Sequence, residues 1–197
     1  MSGIFDEAYY NSVNYVDYLE RGERYERTAQ ELITLLRSLN LDNNGPMCDF
    51  GCAVGHLTGA MLKQGYGCYG VDVSEWALQE CAKKGLSTRP EIREDIEHGV
   101  VFALDVFEHM TEQDLEDLFL KMNTHSIVFR IPVVLNEGED YVLECSRQDP
   151  THIIRWTRTQ WRDFFRLHGY VALDLQLHTV YNSPGVYSGI LLHETYL

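Results

Sequence analysis

The segment that most constrains this chain runs from residue 47 to residue 56 and reads MCDFGCAVGH. A short apolar stretch contains a carboxylate, Asp49, and is followed by Gly51 and Gly55 with the small residue Ala53 between them. Glycine lets a loop bend sharply and lets ligand atoms approach the backbone. Apolar residues at helical spacing come next. The segment therefore predicts the strand–loop–helix unit with which α/β proteins hold a nucleotide-like ligand.

Apolar periodicity predicts that strands and helices alternate along the chain as far as residue 131. Such alternation is typical of a parallel sheet built from right-handed strand–helix–strand units. The predicted helices cover residues 21–39, 56–64, 75–84 and 114–122, and the predicted strands cover 47–50, 69–73, 92–96 (a weak pattern), 99–104 and 126–131.

The C-terminal part follows a different pattern. Thr157 and Gln160 have the spacing of a capping box, which predicts a helix that ends before Gly169. Residues 171–180 and 186–196 then read as two strands joined by a short turn. Strands this close in sequence pair antiparallel. We therefore expect a mostly parallel sheet that ends in an antiparallel hairpin.

Composition limits the kind of protein. The chain has 197 residues, which favours a single domain over residues 1–197, and 45% hydrophobic residues, enough for a full core. No run of about 18 apolar residues predicts a membrane span, and the first residues lack the pattern of a signal peptide. A cytoplasmic location is expected. The five cysteines form no CxxC pair, so we expect reduced thiols and no metal.

The charge of the chain bears on its partners. The formal net charge is -14. A protein that binds nucleic acid through phosphates needs a basic surface, and this chain would repel polyanions unless its charges are segregated. The charge favours a small molecule and predicts no nucleic-acid partner. We expect no membrane partner either, and a monomer or a homodimer.

Four motifs occur in an order that resembles the class I S-adenosylmethionine-dependent methyltransferases, in particular the small bacterial-type methyltransferase domains 11, 12, 23 and 25. The resemblance covers residues 47–170 and implies a Rossmann-like α/β fold: a mostly parallel seven-stranded sheet flanked by helices, with an antiparallel C-terminal hairpin. It divides the chain into an N-terminal lid and helix (1–40), a cofactor-binding half (47–122) and a substrate-side half (123–197). The motifs lie at residues 49–55, 70–74, 94–96 and 104–109, with a weaker fifth at 149–152.

The resemblance implies S-adenosyl-L-methionine as the cofactor and S-adenosyl-L-homocysteine as the product. The amino-acid tail would lie over the glycine loop, where backbone N–H groups at the start of a helix receive its carboxylate. Asp49 would complement the ammonium group. Asp72, at the end of the second strand, would accept hydrogen bonds from the ribose hydroxyls, as acids do in dinucleotide-binding folds.

The adenine side is implied by the same resemblance. Val73 and Trp76 would pack on the adenine ring, Asp95 would accept a hydrogen bond from its amine, and Ile96 would cover it. The complete implied cofactor-binding set is Asp49, Phe50, Gly51, Cys52, Ala53, Gly55, Asp72, Val73, Trp76, Asp95, Ile96, Asp105 and Tyr10.

The N-terminal tyrosines and a C-terminal arginine stripe each have two interpretations. Tyr10 and Tyr15 would close a lid over the ligand, or they simply pack aromatic area on the domain. Arg158, Arg162 and Arg166 share one helix face. They form a solvated stripe, or they attract a phosphorylated or carboxylated acceptor.

Methyl transfer from a sulfonium needs alignment and exclusion of water, and it does not require a fixed catalytic residue. Glu108, His109 and His152 are the candidates for catalysis. Each histidine has an alternative structural role in ordering a loop or a helix start. Our hypothesis is that His152 is a general base or orients the acceptor, because a histidine pKa suits that role near neutral pH.

Competing functions remain open from sequence alone. A nicotinamide-binding Rossmann domain would prefer Gly-x-Gly-x-x-Gly, and here Ala53 and His56 occupy two of those glycine positions. The resemblance implies a methyltransferase that acts on a small-molecule acceptor, most readily on an oxygen or nitrogen atom. The alternatives are a protein or RNA methyltransferase, or a non-catalytic S-adenosylmethionine-binding partner subunit.

Overall fold

The computed structural model describes residues 4–12 and 17–196, and helices and strands alternate through most of this range. Tyr15, one of the two tyrosines predicted to form a lid, lies outside the described residues. The helices are α1 (Glu7–Tyr10), α2 (Gly22–Ser38), α3 (His56–Lys63), α4 (Glu75–Lys83), α5 (Glu112–Lys121), α6 (Glu144–Gln148) and α7 (Arg158–Leu167). The strands are β1 (Met47–Phe50), β2 (Cys68–Val71), β3 (Thr88–Arg89), β4 (His98–Leu104), β5 (Thr124–Pro132), β6 (Tyr170–Asp174) and β7 (Val186–His193).

The strands form one seven-stranded sheet in the order β3-β2-β1-β4-β5-β7-β6. Strand β2 pairs parallel with both β1 and β3, whereas β7 pairs antiparallel with both β5 and β6. The predicted Rossmann-like sheet with an antiparallel end is therefore confirmed. Contacts divide the chain between Phe102 and Ala103 into two compact units, here called the first and the second unit.

In the first unit, helix α2 shows why the periodic pattern forms a helix. Ala29, Leu32, Ile33 and Leu36 recur at intervals of three and four residues, and all four are buried. Burial of such a stripe stabilises an amphipathic helix more than its intrinsic propensity does. The helix predicted at 21–39 is confirmed within one residue at each end.

The third strand was predicted at residues 92–96, and that prediction is wrong. The N–H of Gly70 donates to the carbonyl of Ser87 at 3.0 Å, and the N–H of Asp72 donates to the carbonyl of Arg89 at 3.2 Å. These bonds pair strand β2 with residues 87–89, and the strand β3 therefore contains only Thr88 and Arg89. Pro90 follows at once and has no N–H with which to continue a ladder.

In the second unit, helix α7 begins as its sequence predicts. The side chain of Thr157 accepts from the N–H of Gln160, and the Gln160 side chain accepts from the N–H of Thr157, so the capping box is confirmed. The helix packs large aromatic side chains: Trp161, Phe164 and Phe165 are all buried. Trp161 and Phe165 stack with ring centroids 5.7 Å apart.

The strand predicted at 171–180 ends at Asp174 instead. The side-chain amide of Asn182 donates to the carbonyls of Leu175 and Ser188 at 2.6 and 2.8 Å. The N–H of Ser188 donates back to the Asn182 side chain at 3.0 Å. Beyond Leu175, hydrogen bonds of the Asn182 side chain replace the backbone hydrogen bonds between the two strands, and the hairpin ladder is therefore shorter than predicted.

Two general properties bear on the predictions from composition. Among residues 4–12 and 17–196, no helix combines the length and the apolar character that a membrane span requires. All five cysteines are free thiols, and four of them are buried.

Candidate functional site

In the glycine loop of the first unit, every second residue from Gly51 to Gly55 has a left-handed backbone conformation. Gly51 has φ 72°, Ala53 has φ 46° and Gly55 has φ 76°. A Cβ atom at Gly55 would lie 2.4 Å from the Leu86 side chain and 2.9 Å from the sulfur of Cys81. Glycine is therefore required at Gly55 by both conformation and space. Ala53 adopts a conformation that is less favourable for any residue with a Cβ.

Asp49 lies on strand β1 just before this loop and is 5% exposed. Its Oδ2 atom accepts from the backbone N–H of Thr58 at 2.9 Å and from the Thr58 hydroxyl at 2.7 Å. Burial raises the pKa of Asp49 to about 6, although the Thr58 hydrogen bonds act in the opposite direction. The carboxylate thus fixes the first turn of α3 to strand β1.

Asp72 ties the loop to the end of strand β2. Its Oδ2 atom accepts from the N–H of Ala53 at 2.8 Å, and its Oδ1 atom accepts from the N–H of Ser74 at 2.8 Å. Burial raises the pKa of Asp72 above its usual value, while these backbone hydrogen bonds lower it. A carboxylate has about four acceptor positions, so both oxygens keep capacity for ligand hydroxyls. The sequence did not indicate the bond between Asp72 and the loop.

An aromatic cover lies on the glycine loop; we use this name for Phe5, Tyr9, Tyr10, Tyr18, Tyr25 and Trp76. These side chains pack with Ala53, Val54 and Ala77. Tyr10 stacks on Trp76 with ring centroids 5.2 Å apart and an interplanar angle of 22°. The Ser74 hydroxyl donates to the carbonyl of Phe5. The ring that was predicted to pack on adenine, Trp76, therefore has an aromatic partner from the N-terminal segment.

His56 connects the aromatic cover to helix α3. Its Nε2 atom lies 2.9 Å from the carbonyl oxygen of Tyr18. Its ring also stacks on Tyr25, with centroids 5.3 Å apart and an angle of 18°. The histidine that argued against a nicotinamide-binding fingerprint thus has a definite structural role at the start of α3.

The residues predicted on the adenine side are more exposed. Asp95 forms two hydrogen bonds with Arg93, Nε to Oδ1 at 3.0 Å and Nη2 to Oδ2 at 2.5 Å. The Arg93 guanidinium lowers the pKa of Asp95. Val73 is 52% exposed, and Ile96 is half-buried. The first unit thus brings Asp49, the loop and Asp72 together, while Asp95 is paired with Arg93.

In the second unit, Asp105 follows strand β4 with φ 58°. Arg130 on strand β5 binds it through two guanidinium nitrogens, with Nε 2.8 Å from Oδ1. The same guanidinium donates to the carbonyl of Thr179 at 3.0 Å. Arg130 was not among the predicted site residues, because nothing in the local sequence links it to an acid 25 residues earlier.

The three candidate catalytic residues form one cluster in the second unit, here called the Glu–His–His cluster: Glu108, His109 and His152. Glu108 is fully buried, and its Oε1 atom lies 4.0 Å from the Nε2 atom of His109 and 3.9 Å from that of His152. The two imidazoles contact edge to face at 4.6 Å. Burial raises the pKa of Glu108 well above its usual value and lowers that of His109 to about 4.

Two further residues support the Glu–His–His cluster. The Thr151 hydroxyl lies 2.8 Å from Nδ1 of His109 and 2.5 Å from Oδ1 of Asp149. The other carboxylate oxygen of Asp149 lies 3.7 Å from Nε2 of His152. Burial lowers the pKa of His152, so its neutral form is favoured. The weak motif at 149–152 contained Asp149, but the part played by Thr151 was not predicted.

The arginine stripe of helix α7 is engaged locally. Arg158 and Arg162 pair with Asp174 at 3.5 and 2.9 Å, and both guanidinium groups lie over the ring of Tyr187. Arg166 lies 3.7 Å from Asp163. These contacts favour the interpretation of the stripe as a set of surface ion pairs.

Comparison with known proteins identifies the family of the chain. A family model described as "Methyltransferase domain" matches residues 21–175. No curated protein matches the sequence significantly.

Several solved structures share the fold at low sequence identity. Magnesium protoporphyrin IX methyltransferase from Synechocystis PCC 6803, with bound SAH, is 15% identical, with 98% of this chain and 97% of that chain covered and a TM-score of 0.66. An S-adenosylmethionine-dependent methyltransferase from Clostridium acetobutylicum ATCC 824 is 14% identical, with 95% and 99% covered and a TM-score of 0.66. The glycopeptide N-methyltransferase MtfA, complexed with SAM, is 10% identical, with 85% and 86% covered and a TM-score of 0.61.

Proposed function

The chain belongs to the methyltransferase domain family, and we propose that it transfers a methyl group from S-adenosylmethionine to an oxygen or nitrogen atom of a small-molecule acceptor. S-adenosylhomocysteine is then the second product. The observation that carries the proposal is a pair of buried carboxylates in the first unit: Asp72 accepts from the N–H of Ala53 in the middle of the glycine loop, and Asp49 accepts from the N–H of Thr58 in the helix that follows the loop.

The first unit supplies the groups that this cofactor requires. An amino-acid carboxylate is favoured at the loop and the start of α3, where backbone N–H groups and the helix dipole attract an anion. The ammonium group of the cofactor is complemented by the buried Asp49. Asp72 keeps acceptor capacity for ribose hydroxyls beside its two backbone bonds.

The adenine side of the proposal involves the aromatic cover. Trp76 has a half-buried ring next to the loop. Tyr10 stacks on this ring, so an adenine that packs on Trp76 would also lie close to Tyr10. Offset stacking of aromatic rings stabilises such contacts by about 0.5–1.5 kcal/mol beyond the area they bury. Asp95 would have to exchange its Arg93 partner for the adenine amine.

We assign the acceptor to the small-molecule class because of the negative net charge of the chain. A net charge of -14 opposes a polyanionic substrate. Two proteins of the same fold are a porphyrin methyltransferase and a glycopeptide methyltransferase. Within the second unit, His152 is the proposed base or acceptor-orienting residue, with Glu108 and His109 beside it. The cytoplasmic location and the monomeric or homodimeric state remain predictions.

The experiment that tests the acceptor class is a product assay. The purified chain is incubated with S-adenosylmethionine and fractions of a metabolite extract, and release of S-adenosylhomocysteine is measured. Turnover confined to fractions of low molecular mass supports the proposal. Turnover only with protein or RNA fractions supports the macromolecular alternative, and cofactor binding without turnover in any fraction supports a non-catalytic partner subunit.

A further inference from the structure

The interior of the second unit contains a carboxylate for which the described part of the chain supplies no hydrogen-bond partner. Glu108 is fully buried, and neither of its oxygens has a hydrogen-bond partner among the described residues. Burying a polar group without a partner opposes folding, and more strongly when the group is charged. Such a group therefore points to a proton or a cation that completes the site.

Two imidazole nitrogens of the Glu–His–His cluster lie about 4 Å from this carboxylate, at 4.0 Å for His109 and 3.9 Å for His152. Glu108, His109 and His152 each offer one potential ligand atom, and these three atoms lie within 4.8 Å of one another. Two imidazoles and one carboxylate with open positions are a familiar donor set for divalent transition metals.

A hydrogen-bond relay fixes the orientation of one of these rings. The hydroxyl of Thr151 donates to Asp149, because a carboxylate only accepts. The hydroxyl oxygen then accepts from Nδ1–H of His109. With the proton on Nδ1, the lone pair of the His109 ring is on Nε2, which lies 4.0 Å from Oε1 of Glu108. Metal-binding histidines commonly donate their other ring N–H to a polar group in this way.

We propose that Glu108, His109 and His152 bind one divalent transition-metal ion, with Asp149 and Thr151 as positioning residues. The proposal goes beyond methyl transfer and does not depend on the identity of the cofactor. It differs from the sequence-based expectation of no metal.

The spacing is compatible with this site after a modest contraction. Metal–nitrogen and metal–oxygen bonds of about 2.1 Å place neighbouring ligand atoms about 3.0–3.4 Å apart. The oxygen of Glu108 lies 3.9 and 4.0 Å from the two imidazole nitrogens. Side-chain rotations that shorten these two distances by up to about 1 Å, and bring the two imidazole nitrogens, which lie within 4.8 Å of each other, closer by up to about 1.8 Å, place the donor atoms at bonding distance of a common point.

An ion held by three side chains keeps open coordination positions, and a bound divalent cation polarises a coordinated hydroxyl or water. Both imidazoles are ligands in that state, so of the two roles proposed for His152 the ion leaves the second: His152 orients the acceptor through the ion and is not a general base. A transition metal is favoured over Mg²⁺ or Ca²⁺, because those hard ions prefer all-oxygen sites.

The test is direct binding of MnCl₂ to the full chain after treatment with EDTA, measured by the loss of the free Mn²⁺ signal in electron paramagnetic resonance. We expect one Mn²⁺ per chain, displacement by Co²⁺ or Zn²⁺, and affinity at least about tenfold higher than for Mg²⁺. Glu108→Gln and His152→Gln should abolish this binding. Thr151→Val should weaken it by about 10–100-fold, the usual effect of removing a group that orients a ligand.

The control is Glu116→Gln, an exposed acid on helix α5, which should bind Mn²⁺ as the unaltered chain does. Circular dichroism and thermal unfolding without metal show whether each variant folds. In EDTA, the Tm of Glu108→Gln should be no lower than that of the unaltered chain, because the substitution removes a buried carboxylate that has no hydrogen-bond partner within residues 4–12 and 17–196. Should a variant fail to fold, the Mn²⁺-dependent rise in the Tm of the unaltered chain decides the question.

Two results would overturn the proposal. The first is an unaltered chain that binds none of Mn²⁺, Co²⁺ and Zn²⁺ at millimolar concentration. The second is Mn²⁺ binding that is unchanged in folded Glu108→Gln and His152→Gln. Neither result bears on whether the first unit binds S-adenosylmethionine, so the failure of this proposal is distinguishable from the failure of the proposed function.

Discussion

The carboxylate of Asp72 accepts a hydrogen bond from the backbone N–H of Ala53 across 2.8 Å. The bond connects the end of strand β2 with the middle of the glycine loop, at the residue with φ 46°. An acid that is expected to bind the ribose therefore also holds the loop that is expected to bind the amino-acid tail. Loss of this carboxylate should affect both the fold and the ligand.

Asp72→Asn should weaken S-adenosylmethionine binding by about 10–100-fold and lower the free energy of unfolding by about 1–3 kcal/mol. The asparagine amide offers one oxygen and one donor, so the N–H of Ala53 or of Ser74 loses its acceptor. Calorimetric titration and urea unfolding measure the two effects. Asp163→Asn, an exposed acid on α7, is the control, and equal behaviour of the two variants would contradict the account.

Ala53→Gly should stabilise the chain by about 0.5–1 kcal/mol. Ala53 has a left-handed conformation, in which a Cβ costs roughly 1–2 kcal/mol, partly offset by the greater freedom of glycine when unfolded. Thermal unfolding measures the change. Ala82→Gly, on the exposed side of α4, should instead destabilise by about 1 kcal/mol. A decrease in Tm for both variants would show that the loop conformation is not strained at Ala53.

Cofactor affinity should fall as the pH decreases below about 6. The pKa of Asp49 is raised from 3.8 to about 6, so the free protein holds a neutral carboxyl below that pH. The ammonium group of the cofactor favours the ionised form, and binding must then release a proton. At pH 5 the affinity should be about tenfold lower than at pH 7. Calorimetry in buffers with different ionisation enthalpies measures the released proton.

The raised pKa of Asp49 also determines how the free energy of unfolding changes with pH. Because the pKa of Asp49 is raised in the folded state, the folded chain binds more protons than the unfolded chain between pH 3.8 and about 6. Asp49 therefore opposes folding increasingly as the pH rises through this window. In Asp49→Asn both the pH dependence of affinity and this contribution should disappear. An unaltered pH profile in that variant would assign the dependence to another group.

Tyr10→Ala should make the N-terminal segment easier to cleave with a protease. Tyr10 is 6% exposed and stacks on Trp76, so its ring is a main attachment of residues 4–12 to the first unit. Local opening then needs less free energy, and proteolysis of the opened state is faster. Tyr181→Ala, at a 42% exposed position, is the control. Equal rates of N-terminal cleavage in both variants would count against the attachment.

Features that depend on neighbouring residues were readable from the sequence. The loop with Gly51 and Gly55 and the capping box of Thr157 and Gln160 are local, and both are confirmed. The alternation of strands and helices gave the sheet for the same reason, since each element carries its own apolar pattern.

Features that depend on distant residues were not readable. Strand β3 was misplaced because its position is set by hydrogen bonds from Gly70 and Asp72 and not by its own apolar pattern. The shortened hairpin depends on the side chain of Asn182. Arg130 and Thr151 acquire their roles only after folding brings them to Asp105 and His109.

Calorimetric titration of the purified chain with S-adenosylmethionine tests the central claim most directly. We expect one site per chain at micromolar to submillimolar affinity, competition by S-adenosylhomocysteine, and about 10–100-fold weaker binding in Asp72→Asn. Absence of binding at millimolar S-adenosylmethionine by a chain that is folded by circular dichroism would contradict it.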